Sequence, residues 1–495
     1  MEARPRSKND VLLRIGALLG LATLLALLAA VAFDLAFAVR FFGHRVLLYG
    51  EAEPLHEAVR LQAKLPLYTD PVAGAFDQGP FPVRAYVVYL PIWSWVLSLA
   101  PGGSLVMAAQ GIAGLTWFGT LAALAATARP SSRPGGWVAA AWAGGIWVVT
   151  LFATCGRPDS VAVALAGYAF ARGVRAGRLD ARSGVLFALA FWLKPNVLGL
   201  ALGAGVAELL QAPRRAMRAL AAGLVVSVVV VLGLRYVSEG QWWAHLTRTL
   251  DQGMDLAFWW DQVSRRLLFA FPAIAALGVA WAQRKTESGR IALGGLAVGL
   301  AWAVFALGKR GSASNYWMEP AMGAVAVVSS LRPVELAPRA KVAFSAALFF
   351  HAIWLLAATA IGVLEAFEKE PQRVALLERA RATCIERPGD IVLGDRPGIE
   401  FAIDGHIVTT PFATQHLARI GRFPVQTWAG DVRRREARCI VVEGGVLDSP
   451  APGLFPPEVH AALRERFVFA EAAGGFRLYR AKDEPADRAA VAPNP

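Results

Sequence analysis

Seven apolar runs, at residues 11–37, 105–128, 137–153, 219–237, 263–282, 291–307 and 342–364, approach or reach the length needed to cross a hydrocarbon core. Shorter apolar runs lie at 85–100, 160–171, 184–193, 197–210 and 318–330. A chain built this way has little choice of architecture, because lipid offers no hydrogen bonds and an open sheet would leave its backbone unpaired there. The expected fold is an α-helical polytopic membrane protein with roughly ten transmembrane helices. Composition agrees: 56% of residues are hydrophobic and 18% charged, against about 25% charged in ordinary soluble domains. The first run continues into "FDLAFAVRFF" without a small-residue cleavage site, so it reads as a retained anchor rather than a signal peptide.

The formal charge of +13 matters less than its placement. Arg4, Arg6 and Lys8 precede the first run; Arg129 and Arg133, Arg172 to Arg182, Arg214 to Arg218, Arg284 to Arg290 and Arg332 to Lys341 fill short loops between later ones. These alternate with acidic or mixed loops, the pattern expected when Lys and Arg mark the cytoplasmic side. No run is both basic and aromatic as a strand-binding groove requires, so nucleic acid is excluded as a partner. The opposite loops then face outward together: 40–83, "CGRPDS" at 155–160, "LKPN" at 193–196, 238–262 and "GKRGSASNYWMEP" at 308–320. The alternation fails if 85–100 also crosses, since Arg157 would then fall inside and 172–182 outside. That segment is short and bears Pro91 and Pro101, and it is the candidate to remain on one side. Within the runs, ionisable groups are few: Asp34, Glu208 and His351.

Past residue 364 the apolar character ends. "DIVLG" and "CIVVEGG" read as strands, "FATQHLARIG" and "WAGDVRRREA" as helices, and "RFVFAEAAGGFRLYRA" as a hairpin about Gly474 and Gly475. The expected organisation is a transmembrane domain at 1–364, a small soluble α/β domain at 365–481 on the outer side, and a disordered tail at 482–495 rich in Ala, Pro and Asp. Cys384 and Cys439 both fall in the outer domain and can pair in an oxidising compartment. No His/Cys cluster has zinc spacing, and no phosphate-binding glycine loop is present.

The outer loops hold the candidate chemistry. In "LLYGEAEPLHEAVRLQAKLPLY" Pro54 suits the first turn of a helix lying along the surface, with Glu51 at its start, where a helix N-terminus favours a carboxylate. Glu51, Glu53 and Glu57 also read as a solvated loop, Asp159 with Arg157 as an ion pair capping a helix, Lys194–Pro195 as a turn, and Lys309 with Arg310 as snorkelling anchors.

Taken in order, "YGEAEPLHEAVRLQAKLPLY", "YVVYLP", "RPDSVAVAL", "FALAFWLKPN" and "GKRGSASNYWMEP" resemble the GT-C superfamily of polytopic glycosyltransferases, in particular the protein mannosyltransferase and aminoarabinose transferase branch. The resemblance spans residues 12–364 and departs from the pattern at Lys64, where glycine is usual, and at the single Pro91. It implies an inverting transfer of a sugar from a polyprenyl-phosphate donor to an acceptor hydroxyl on the outer face of the cytoplasmic membrane of a bacterium. Such a reaction needs a base for the acceptor and cations for the departing phosphate. On this resemblance Glu51 is the candidate base and Asp159 its catalytic partner. Lys194, Lys309 and Arg310 are candidates for the phosphate, and Asn315, Tyr316 and Glu319 for sugar hydroxyls. A divalent cation near Glu51 and Glu53 is a further candidate. The acceptor, whether protein, lipid or glycan, is left open. So are two rival activities: a transporter or flippase of a lipid-linked saccharide, and a polymerase or ligase of lipid-linked glycans.

Overall fold

The computed structural model describes residues 8–48, 50–76, 81–87, 89–238, 241–250, 253–309, 313–387, 390–434, 437–449 and 453–482. The chain is an α-helical polytopic membrane protein carrying a small C-terminal α/β domain.

The long α1 (Lys8–Arg40) is followed by two short helices, α2 (Ala52–Gln62) and α3 (Ile92–Ser98), and then by α4 (Leu105–Ala126). Next, α5 (Arg133–Gly144) and α6 (Trp147–Ala153) meet at a 79° bend. After them come α7 (Asp159–Ala176), α8 (Ala181–Leu193), α9 (Gly199–Gln211), α10 (Pro213–Ser238), α11 (Gln241–Leu250), α12 (Leu256–Arg266), α13 (Phe271–Ala282), α14 (Glu287–Ala306), α15 (Met318–Ser330) and α16 (Pro338–Cys384). Among the described residues six stretches are long and apolar enough to cross a membrane alone, and the bent α5–α6 pair makes a seventh. The shorter α7, α8, α9 and α15 complete the bundle.

Helix α3 settles the alternation. It has seven residues, about 10 Å of helix, against about 30 Å of hydrocarbon, so 85–100 does not cross. With it removed, side-chain contacts gather the basic loops at one rim. Arg175 donates to Thr127 (3.0 Å) and Ser330 (3.2 Å), Arg215 pairs with Glu208 (3.0 Å) and Glu287 (3.2 Å), and Gln283 bonds the carbonyl of Arg332 (2.6 Å). The remaining loops meet at the other rim.

Interior packing relies on small residues where helices must approach closely, because lipid supplies no hydrophobic drive between them. Gly199 and Gly203 on α9 face Gly294 and Gly299 on α14; a Cβ on Gly203 would lie 2.1 Å from the carbonyl oxygen of Gly294. By contrast α10 turns Leu220, Leu224, Val225, Val229 and Leu232 outward, each more than half exposed, as a lipid-facing helix should.

Helix α16 has 47 residues and continues straight through the compositional boundary at 364/365. Its last turns form one wall of the C-terminal domain. There β1 (Ile391–Gly394), α17 (Pro397–Asp404), α18 (Pro411–Arg419), α19 (Val425–Arg434), β2 (Ala437–Glu443), α20 (Pro457–Arg466), β3 (Phe467–Ala473) and β4 (Phe476–Ala481) follow in order. The sheet order is β1-β2-β4-β3, with β1 and β2 parallel and the other pairs antiparallel. Alternation along β2 serves two cores. Cys439 and Val441 pack with Leu376, Leu377 and Ala380 of α16, while Ile440 and Val442 pack with Trp428, Val432 and Leu463. Both expected strands, both helices and the Gly474–Gly475 hairpin are present. Lys482 still closes the hairpin through its N–H to Arg466; the rest of the expected tail lies outside the described residues.

Cys384 and Cys439 form a disulfide tying the end of α16 to β2 across 55 residues. Cys384→Ala, or reductant, is expected to lower the stability of the C-terminal domain by about 2–4 kcal/mol, read as a lower melting temperature in a full-length sample.

Candidate active site

The loop between α1 and α2 is organised by one carboxylate. Glu51, fully buried at the start of α2, accepts from the N–H of Gly156 (2.8 Å), from Gln110 (2.9 Å) and from the N–H of Leu48 (3.0 Å), and pairs with Arg45 (3.3 Å). It therefore ties α1, α2, α4 and the α6–α7 turn together. Gly50 before it has φ +81°, and a Cβ there would lie 2.6 Å from the Tyr89 hydroxyl, so the turn leaves room only for glycine.

That turn aims α2 so that Glu53, His56, Glu57 and Arg60 fall on one buried side, three to four residues apart. Glu53 is 2% exposed, yet neither carboxylate oxygen meets hydrogen-bond geometry with any described partner; the backbone N–H groups of Gly50 and of Glu53 itself only face it. Burial raises its pKa to about 7, against the opposing pull of those amides, Arg157 and Lys194. Glu57 accepts from Ser94 through one oxygen, and burial pushes its pKa well up. His56 accepts the N–H of Ile407 at Nδ1 (3.1 Å). That bond requires an unprotonated Nδ1, and burial likewise holds the imidazole neutral.

Beside them lies a charged knot. Asp159, the first residue of α7, pairs with Arg157 (3.1 Å) and Lys194 (3.1 Å) and accepts from Asn315 (2.6 Å). Lys194 stands 4.3 Å from the centroid of the Tyr89 ring, and Arg157 5.8 Å from it. Two cations thus face one carboxylate. Burial lowers the Lys194 pKa to about 8 despite Asp159. Asn196 donates to the Tyr316 hydroxyl (2.7 Å), and these residues line a narrow pocket with Trp302 and Glu319.

Of the residues singled out in the sequence, Glu51, Asp159, Lys194, Asn315 and Tyr316 do gather on one rim. Glu319 lines the same pocket, but its carboxylate is spent on the N-terminus of α9, accepting the Leu200 N–H (2.8 Å). Lys309 stands apart, bridged to Met254, and burial alone lowers its pKa to about 8. Arg310 lies outside the described residues. Arg157 and Tyr89 join this rim without being singled out in the sequence, and Glu53, a candidate there only as a cation ligand, has neither carboxylate oxygen hydrogen-bonded to a described partner. In the sequence Arg157 reads only as the partner of Asp159, and nothing there shows which of two neighbouring glutamates has its bonds filled. As for a divalent cation, Glu51 is committed to donors and a guanidinium, and no group of three acidic, His or Cys side chains is placed to hold a metal among the described residues.

No protein-family model matches the chain, and no curated protein matches it by sequence. Solved structures do match by fold. ArnT from Cupriavidus metallidurans bound to undecaprenyl phosphate superposes with a TM-score of 0.52 at 12% identity, over 91% of this chain and 97% of that one. The apo state of the same protein gives 0.50 at 13%. The chain has the GT-C fold. An archaeal oligosaccharyltransferase, AglB from Archaeoglobus fulgidus, in complex with an inhibitory peptide and a dolichol-phosphate, matches at 0.49 and 13% identity over 94% of this chain and 75% of that one. The rim holding Glu51, Glu53 and the Asp159 knot, where buried charged side chains gather, is the candidate active site.

Proposed function

We propose that the protein is an inverting glycosyltransferase that moves a sugar from a polyprenyl-phosphate donor to an acceptor hydroxyl. The observation carrying this reading is the opposition of an unpartnered, buried carboxylate, Glu53, to the cationic knot of Arg157 and Lys194 around Asp159. That is what displacement at an anomeric carbon needs: a base on the acceptor side and cations for the leaving phosphate. The fold it shares with ArnT, a protein solved with undecaprenyl phosphate, supports the donor class.

In this reading Glu53 takes the acceptor proton as the acceptor oxygen attacks the anomeric carbon. The bond from that carbon to the phosphate oxygen breaks, its electron pair leaving with the phosphate. Attack opposite the phosphate inverts the configuration. Lys194 has three N–H donors and Asp159 engages one, so others can reach phosphate oxygens. Lys309, half-buried and with no carboxylate among the described residues acting on it, stands apart from this knot and is kept only as a further candidate for the donor phosphate. Glu51 holds the loop in place. The Cys384–Cys439 disulfide and the basic opposite rim support an extracytoplasmic site.

Mass spectrometry of lipid extracted with the purified protein tests the donor. The expected mass is a polyprenyl phosphate bearing one sugar, and adding candidate acceptors should convert it to free polyprenyl phosphate. Proteoliposomes that relocate an intact lipid-linked saccharide without that conversion would instead show a transporter.

A further inference from the structure

A cavity of ≈ 480 Å³ opens where the end of α16, the start of β1, the end of α17 and the loop at Val83 meet. Its size falls in the range of small-molecule sites. Ile385, Ile391, Ile403 and Val408 give it an apolar floor, and its charged residues are unequally committed. Glu386 is paired with Arg438 (2.8 Å), and Asp390 accepts the N–H groups of Glu386 and Arg387 (2.8 Å each). Arg381 and Arg387 are exposed and form no ion pair among the described residues. Asp404, the carboxylate that acts on Arg381, accepts the N–H of His406 (2.9 Å), and burial raises its pKa to about 7, which blunts its charge. Arg438 is shared by Glu386 and, at 3.7 Å, Asp390, so Arg381 and Arg387 are the guanidinium groups of the cavity outside any ion pair among the described residues, and their planar fork suits phosphate or carboxylate oxygens.

The cavity also adjoins the reaction rim, with Val83 in the wall between. Val83 lines both this cavity and a smaller one walled by Glu53, His56 and Ile407. The rings of His406 and His56 stand 6.4 Å apart edge to face, and the Ile407 N–H is bonded to His56. We propose that this cavity is an acceptor subsite for an anionic saccharide, its phosphate or carboxylate gripped by Arg381 and Arg387 while a hydroxyl end extends past Val83 toward Glu53. The assignment of an acceptor rests on the transferase reading, whereas anion binding itself does not.

The test titrates the full-length protein, purified without added donor, with glucose 1-phosphate, glucuronate and neutral glucose. Binding is read by calorimetry and by the shift in melting temperature. At least one anionic sugar is expected to bind about tenfold or more tighter than glucose, and the double variant Arg381→Gln/Arg387→Gln to lose that advantage. Preference for glucose 1-phosphate identifies a phosphate-bearing acceptor, and preference for glucuronate a uronic acid. Both side chains are exposed, so the unliganded double variant should melt with the parent; Arg381→Lys alone, keeping charge without the fork, should show partial loss. Equal affinity for glucose, no binding of either anion, or anion binding unchanged in the double variant overturns the proposal. Because no turnover is needed, these results stand apart from any failure to transfer sugar.

Discussion

Replacing Glu53 with glutamine is expected to lower kcat by roughly 10²–10⁴-fold, the usual worth of a positioned general base, while the donor lipid still binds. Glutamine keeps the shape and cannot take a proton. The prediction separates Glu53 from Glu51, two residues away, whose oxygens are occupied by Gly156, Gln110, Leu48 and Arg45. Glu51→Gln leaves Arg45 without its counter-charge and turns an acceptor into a partial donor against Gly156, so it should cost melting temperature more than rate in the folded fraction. A pH profile adds a second readout. The Glu53 pKa is raised to about 7, so the base is charged only above that; the Lys194 pKa is lowered to about 8, so its grip on phosphate fades beyond it. The groups acting on Glu53 are Arg157 and Lys194 across from it and the backbone amides of Gly50 and of Glu53 itself; Glu57, on the same helix, is itself pushed well up by burial. Turnover at limiting donor should rise through about pH 7 and fall past about pH 8 as a macroscopic bell. Full activity in Glu53→Gln, or collapse in a well-folded Glu51→Gln alone, would reverse the two roles.

Much of the architecture was legible because lipid makes the rules strict. A run such as 219–237 has one way to satisfy its backbone, and it is α10. The segment 85–100 was ambiguous because its composition suits a span while Pro91 and Pro101 limit the helix between them to seven residues. In the C-terminal domain the strands and the hairpin were visible through alternation and the Gly474–Gly475 pair. The pairing of Cys384 with Cys439 was not, since it depends on α16 running unbroken past 364 to reach β2. The site was half legible. Residue types and loop order brought Asp159, Lys194 and Asn315 to one rim, but the donors that occupy Glu51 come from Gln110 and Gly156, 59 and 105 residues away. Local sequence does not encode which carboxylate those donors will reach, and so Glu51 and Glu53 could not be told apart. The same limit hid the second task of Glu319, whose partner is the start of α9.

Asp159→Ala is expected to destabilise the protein by about 3–5 kcal/mol, the cost of breaking a buried ion pair from one side. Asp159 is the shared partner of Arg157, Lys194 and Asn315, and all four are buried. Its removal leaves two cations out of water with no anion between them. Lys194→Ala should cost less, because Asp159 keeps Arg157 and Asn315, and its effect should fall on donor affinity. The knot then makes a prediction that a purely structural ion pair would not. If Arg157 and Lys194 face the donor phosphate, polyprenyl phosphate can supply the missing negative charge. Added to Asp159→Ala in nanodiscs, it should raise the melting temperature by more than it does for the parent, through preferential binding to the folded state, and the neutral polyprenol should not. An equal shift in both proteins, or rescue by the alcohol, would place the phosphate elsewhere on the rim and leave Asp159 only the task of tying α7, α8 and the Ser314–Trp317 turn together.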